Sequence, residues 1–90
     1  MKFEKFSRNF NATNVSEVLF NAMQFTKASM VEHYKNKNAE GIRNEYHNFR
    51  TFSRFLFIRG DYGSNRQLRT YVNHEMENFM EMLLENERWR

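Results

Sequence analysis

Four cationic side chains recur at one-turn spacing in the middle of the chain: Arg43, His47, Arg50 and Arg54. On an α-helix, where successive residues are about 100° apart, they occupy a band roughly 60° wide. Guanidinium groups aligned in this way donate paired hydrogen bonds to phosphate or carboxylate oxygens. The spacing therefore predicts an anion-binding face. The alternative is that the four side chains form only a solvated surface or pair with acidic residues of a neighbouring helix.

Aromatic side chains are the second unusual feature, with ten Phe, four Tyr and one Trp in 90 residues. So many aromatic residues in a short chain indicate either a Phe-rich core or an apolar surface that another chain covers. We therefore predict that the chain binds a protein partner, or a second copy of itself as a homodimer. The residues predicted to bind this partner are Arg43, His47, Arg50, Arg54, Phe55, Phe57 and Trp89.

A polar cluster at the start of the third helical segment supports an alternative, because such residues contact base edges and phosphates in helix-turn-helix proteins. This alternative is a nucleic-acid-binding domain. Its predicted contact residues are Arg43, Arg50, Arg54, Arg66, Arg69 and Asn73. Further along the same helix, Glu77, Glu81 and Glu85 would repel a duplex lying along its full length, so the protein partner is the preferred hypothesis.

Residues suited to catalysis are few, with one Asp, three His, five Ser and no Cys. The sequence contains no nucleophile elbow, phosphate-binding loop or metalloprotease helix motif. His74, Glu77 and Glu81 share a helical face, but three ligands from one helix make a weak metal site. His33 is expected to be a partly buried packing residue. We therefore expect no enzymatic activity, no catalytic residues, no metal site and no cofactor.

The net charge of +3 is unevenly distributed along the chain. Residues 1–70 carry twelve Lys and Arg against six acidic residues, whereas residues 71–90 carry two Arg against five Glu. A basic body with an acidic end offers surfaces that could pair across an interface. The sequence has no apolar run long enough to cross a bilayer and no signal-peptide pattern, so we expect a cytoplasmic protein that does not bind membranes.

Apolar residues recur at helical spacing in three segments that no proline interrupts. The predicted helices cover about residues 15–36, 39–59 and 65–87, after a Phe-rich arm over residues 1–13. The first predicted apolar stripe is Val15, Val18, Leu19, Ala22, Met23, Thr26 and Met30. The second is Ile42, Tyr46, Phe49, Phe52 and Leu56, and the third is Leu68, Val72, Met76, Phe79 and Leu83. Phe20 widens the first stripe, so the first helix is expected to be the most buried.

Residues that begin or end helices mark the same boundaries. Asn14 and Ser64 are the predicted N-caps of the first and third helices, and Gly60 is suited to a left-handed C-cap of the second. Residues 35–41 lack large apolar side chains, which favours a turn, although one continuous helix is the alternative. With short connections, these segments predict a single all-α domain, a compact antiparallel three-helix bundle.

The sequence contains no signature of a known family. As a short, Asn-rich and Pro-free chain, it resembles small phage or mobile-element accessory proteins that bind and inhibit a host component. This resemblance implies a regulatory role for the predicted partner-binding surface.

Overall fold

A computed structural model describes residues 15–60, 62 and 65–86. These residues form three helices and no strand: α1 (Val15–Lys35), α2 (Ala39–Arg59) and α3 (Arg66–Leu84). Each helix packs against the other two around one core. Tyr46 contacts Glu77 and Phe57 contacts Arg69, so α2 and α3 run in opposite directions. The predicted all-α three-helix bundle is confirmed, and the predicted arm over residues 1–13 lies outside the described residues.

The buried faces of the helices follow the predicted stripes. All seven stripe residues of α1 and all five of α2 are buried, whereas Leu68 and Phe79 lie half-buried at the edge of the core. As expected, α1 has the fewest exposed residues of the three helices. Phe20, which was predicted to widen its stripe, is however 41% exposed. The largest fully buried side chains, Phe49 and Phe52, belong to α2. α2 is therefore the main source of the aromatic core.

The turn between α1 and α2 is a Schellman motif. The backbone N–H of Asn38 donates to the carbonyl of His33 at 2.8 Å, and that of Lys37 donates to the carbonyl of Tyr34 at 3.1 Å. Lys37 adopts a left-handed φ of 57°. Asn38 then caps α2 by accepting a hydrogen bond from the Gly41 N–H at 2.9 Å. The first two helices are therefore separate, as the polar composition of residues 35–41 favoured.

We expect Lys37→Gly to stabilise the protein by about 1 kcal/mol, because a left-handed conformation strains a side-chain-bearing residue by roughly 1–2 kcal/mol. The greater freedom of glycine in the unfolded chain offsets part of this gain. Urea denaturation should show a higher midpoint with an unchanged slope. Gly60 provides the matched control, since its φ is 81° and no atom of the described residues lies within 4 Å of an added Cβ. Gly60→Ala should lower stability by a similar amount, and a destabilised Lys37→Gly variant would contradict this interpretation.

A buried carboxylate lies beside the same turn. Glu45 is only 6% exposed, and its Oε1 lies 3.2 Å from Nε2 of His33. Asn38 Nδ2 lies 3.3 Å from His33 Nδ1. If the Asn38 amide donates to Nδ1, His33 is the Nε2–H tautomer and donates to Glu45. An added Cβ at Gly41 would lie 2.5 Å from His33 Nδ1, so the close approach of this ring favours glycine.

The connection between α2 and α3 is anchored by Tyr62. Gly60 ends α2 in the predicted left-handed conformation, and its N–H donates to the carbonyl of Phe57 at 3.0 Å. The hydroxyl of Tyr62 donates to the carbonyl of Ser53 at 3.2 Å, and Ser53 Oγ lies 2.9 Å from the same hydroxyl. Tyr62 is therefore part of the core, although its neighbours indicated only a turn.

α3 is shorter than predicted. It begins at Arg66, with Asn65 at the N-cap and no side-chain capping hydrogen bond from that residue. The predicted caps Asn14 and Ser64 lie outside the described residues. The Asn65 N–H donates to the carbonyl of Tyr62 at 2.8 Å, so a turn occupies the position at which the helix was expected to begin. The helix ends at Leu84 rather than at residue 87. Glu81 and Glu85 lie near this C-terminus, where the helix dipole makes a negative charge unfavourable.

Candidate functional site

Two adjoining cavities form a groove between α2 and α3, which we call the α2–α3 groove. The first has a volume of about 180 Å³ and is lined by His47, Arg50, Thr51, Arg54 and Arg69. The second has a volume of about 320 Å³ and is lined by Tyr46, Arg50, Arg69, Thr70, Asn73, His74 and Glu77. Arg50 and Arg69 line both cavities. The centre of the groove is therefore occupied by one guanidinium from each helix.

Helical periodicity explains why these side chains meet. In α2 the core stripe and the cationic band lie on different sides of the helix, and His47, Arg50 and Arg54 are exposed. In α3, Arg69, Asn73 and Glu77 recur every four residues and so share one face. Because α2 and α3 are antiparallel, the early part of α3 lies beside the late part of α2. Arg69 is thereby brought next to the cationic band.

The guanidinium groups of the groove have no acidic partner within the described part of the chain. No carboxylate there lies within 4.0 Å of the side-chain nitrogens of Arg50, Arg54 or Arg69. The ion pair between Lys27 and Glu75 and the hydrogen bond between His33 and Glu45 are in other parts of the bundle. The positive charge of the groove is therefore not neutralised by an ion pair within these residues.

Arg69 is held in place by an aromatic ring. Its guanidinium carbon lies 4.6 Å from the centroid of the Phe57 ring, within the range of a cation–π contact. Its Nε is buried and has no hydrogen-bond partner among the described residues, and the same is true of Oδ1 of Asn73 one turn later. Buried polar atoms in folded proteins are nearly always hydrogen-bonded. Arg69 Nε and Asn73 Oδ1 are two exceptions to this rule, one turn apart on the same face of α3.

The far end of the groove is less basic. The hydroxyl of Tyr46 donates to Oε2 of Glu77 at 3.4 Å, and the guanidinium of Arg50 lies 5.8 Å from the Tyr46 ring centroid. Burial raises the pKa of Tyr46, and the nearby charge of Arg50 partly opposes this effect. The phenol is therefore protonated at neutral pH and can donate to Glu77. The carboxylate of Glu77 places one negative charge at this end of the groove.

The structure brings together only some of the predicted site residues. His47, Arg50, Arg54, Arg69 and Asn73 line the groove, and Phe57 supports Arg69. Arg43 and Arg66 are exposed and line neither of the two cavities. Phe55 is 42% exposed, with the guanidinium of Arg59 at 5.3 Å from its ring centroid. Trp89 lies outside the described residues.

Sequence reasoning missed two parts of the groove. Tyr46 was predicted only as a core residue, although its hydroxyl contacts Glu77, and Thr51 belonged to no predicted site. The four-residue recurrence of Arg69, Asn73 and Glu77 was the available signal for the α3 side. Within the described residues, no group of three metal-ligating side chains is close enough to hold a metal ion, and none of the helices is long and apolar enough to cross a membrane.

Comparison with known proteins leaves the groove as the guide to function. No protein-family model, no curated protein sequence and no solved structure matches this chain. The residues that converge on the groove, and their chemistry, are therefore the basis for inferring function.

Proposed function

We propose that the chain is a non-enzymatic binding protein whose α2–α3 groove binds an acidic segment of a protein partner. The observation that carries this proposal is the convergence of Arg50, Arg54 and Arg69, from two helices, with no acidic partner among the described residues. Arginine donates paired hydrogen bonds to carboxylates with little loss of side-chain freedom per bond. An anionic side chain of a partner would supply the missing counter-charge.

Exposed apolar side chains beside the groove favour a protein partner. Phe57, which contacts Arg69, is 39% exposed, and Ile58, one turn after Arg54, is 72% exposed. Aromatic residues and arginine are enriched in the centres of protein interfaces, where they contribute most of the binding energy. This combination suits an acidic peptide that also carries apolar residues.

Nucleic-acid binding is the second candidate, favoured by the presence of Arg50, Arg54, Arg69 and Asn73 in one groove. Two observations favour the protein partner over it. The guanidinium of Arg69 lies over one face of Phe57, which reduces the aromatic surface available for base stacking at the groove. The carboxylate of Glu77 also lies where a continuous strand of phosphates would pass along the groove.

Selection from a random-peptide display library tests this proposal even though the partner is unidentified. We expect the enriched peptides to combine Asp or Glu with aliphatic or aromatic residues. Their affinity should fall about tenfold or more in Arg50→Gln and in Arg54→Gln, because a hydrogen bond to a charged group contributes roughly 1.5–3 kcal/mol. Fluorescence anisotropy with a synthesised, labelled peptide gives the dissociation constants.

Arg43→Gln is the matched control, since Arg43 is in the same helix and the same cationic band but lines neither cavity of the groove. Its affinity for the selected peptide should equal that of the parent protein. Enrichment of peptides without acidic residues would contradict the proposal. Equal losses of peptide affinity in Arg43→Gln, Arg50→Gln and Arg54→Gln would also contradict it. Selective binding of single-stranded or duplex DNA, with no enriched peptide, would favour the second candidate.

The use of this surface for self-association or for inhibition of a host component is part of the same proposal. Light-scattering chromatography at low and high salt measures whether the purified protein is a dimer. A dimer that Ile58→Ser converts to a monomer would identify a second copy of the chain as the partner of this surface.

A further inference from the structure

We propose that the partner group bound at the centre of the α2–α3 groove is a phosphate monoester, carried by a phosphorylated side chain of the protein partner. Arg50 and Arg69 are its central ligands, with Arg54 and His47 beside them. This inference rests on the proposed function, because it names the chemical group that the protein partner presents. It assigns a tetrahedral dianion, rather than a carboxylate, to the most basic part of the groove.

The number of donors around the first cavity supports a phosphate. Each guanidinium carries five N–H donors in a fixed plane, and one guanidinium can bind a carboxylate through two parallel hydrogen bonds. Three arginines and a histidine therefore exceed what a single carboxylate can use. A phosphate monoester carries three strong acceptor oxygens and a charge between about −1.5 and −2 at neutral pH. Donors that come from two helices match a tetrahedral phosphate better than they match a planar carboxylate.

The first cavity is also large enough for this group. Its volume of about 180 Å³ far exceeds the roughly 10–15 Å³ that a single water molecule requires. Arg69 is held against Phe57 at 4.6 Å, which restricts the orientation of its guanidinium before a ligand arrives. The cavity therefore offers space and a restrained cation together.

The position of Glu77 favours a single phosphate over a strand of phosphates as the ligand of the groove. Its carboxylate lines the second cavity, whereas none of the described residues that line the first cavity is acidic. A phosphate monoester can occupy the first cavity without contacting Glu77. A nucleic-acid backbone that continued through both cavities would bring a phosphodiester close to this carboxylate, and like charges repel.

Isothermal titration calorimetry with small probes tests the proposal. The probes are N-acetyl-O-phosphoserine amide, N-acetylglutamic acid amide, inorganic phosphate and a twelve-residue oligothymidylate, at an ionic strength of about 0.15 M. We expect the phosphoserine derivative to bind at least tenfold more tightly than the glutamate derivative, because its dianion engages more donors. Inorganic phosphate should compete with it. Arg50→Gln and Arg69→Gln should each weaken phosphoserine binding about tenfold or more.

Two further variants distinguish a loss of phosphoserine binding from a loss of folding. Arg43→Gln removes the same charge outside the groove and should leave binding unchanged. Arg69→Lys retains the charge and the packing of the stem but loses the paired donors, so it should also weaken phosphoserine binding. Circular dichroism of each variant establishes that the helices are retained. Binding by Arg69→Lys equal to that of the parent protein would contradict a paired hydrogen-bonding role for Arg69.

The remaining outcomes separate this inference from the proposed function. Equal affinity for the glutamate and phosphoserine derivatives, or no binding of either, would overturn the phosphate site, while acidic peptides from the display selection would still support a protein partner. Tightest binding of the oligothymidylate, weakened by Arg43→Gln as well as by Arg50→Gln, would overturn both in favour of nucleic acid. An effect of Arg43→Gln as large as that of Arg69→Gln would overturn the phosphate site in favour of general charge attraction.

Discussion

Phe49→Ala is expected to lower the free energy of unfolding by about 3–5 kcal/mol, because truncation of a buried Phe removes its apolar contacts and leaves a cavity. The side chain of Phe49 is fully buried in α2 and belongs to the core cluster. Small domains have a total stability of only about 5–15 kcal/mol. The variant should therefore be partly or largely unfolded near body temperature. Urea denaturation followed by far-UV circular dichroism measures the loss.

Phe55→Ala is the matched control for this prediction. Phe55 is in the same helix, but its side chain is 42% exposed and lies outside the core cluster. We expect a loss of about 1 kcal/mol or less, since partly exposed side chains leave no closed cavity. Equal losses in the two variants would contradict the assignment of Phe49 to the core. They would indicate that the two sides of α2 are buried to the same extent.

Tyr62→Ala is expected to be the second strongly destabilising change, with a loss of about 3–4 kcal/mol. Tyr62 is 4% exposed, and its ring centroid lies 6.3 Å from that of Phe57. The side chain fixes the connection between α2 and α3 to the core. Both its ring and its hydroxyl contribute, the ring by apolar burial and the hydroxyl by its contacts with Ser53. The midpoint of urea unfolding measures their combined effect.

Tyr62→Phe separates the ring from the hydroxyl. It should lower stability by only about 1–2 kcal/mol, because it leaves the buried Ser53 hydroxyl without this partner. Ser53→Ala in the Tyr62→Phe background should then have a smaller effect than in the parent protein, with a coupling of about 1 kcal/mol. Additive effects of the two substitutions would contradict the hydrogen bond. A loss in Tyr62→Phe as large as in Tyr62→Ala would contradict the packing role of the ring.

Much of the fold was predictable because burial follows helical periodicity. Every residue of the predicted α1 and α2 stripes is buried, so these apolar positions could be read from spacing alone. The start of α3 was less predictable, since it follows a turn in which the Asn65 N–H donates to the carbonyl of Tyr62. Burial of Tyr62 results from a contact with Ser53, and a residue between turn-forming neighbours gives no local sign of such a contact. The buried Glu45 was missed for the same reason, because its partner His33 is in another helix.

The candidate site was predictable only one helix at a time. The cationic band of α2 could be derived from the spacing of its residues, and Arg69 and Asn73 were recognised as a separate polar cluster. Which of these residues share a groove depends on the register between α2 and α3, and a single sequence does not specify that register. The same register places Arg43 and Arg66 outside the two cavities. The cation–π contact between Arg69 and Phe57 likewise joins residues of different helices.

The turn between α1 and α2 also has a consequence for the rate of folding. The hydrogen bonds around it join residues no more than twelve positions apart, from Asn38 with Gly41 to His33 with Glu45. Closing such a short loop loses little chain entropy, so the first helical hairpin can form before distant parts of the chain meet. Helical bundles rich in local contacts fold within about microseconds to milliseconds. The α1–α2 hairpin is thus a suitable nucleus on which α3 can dock.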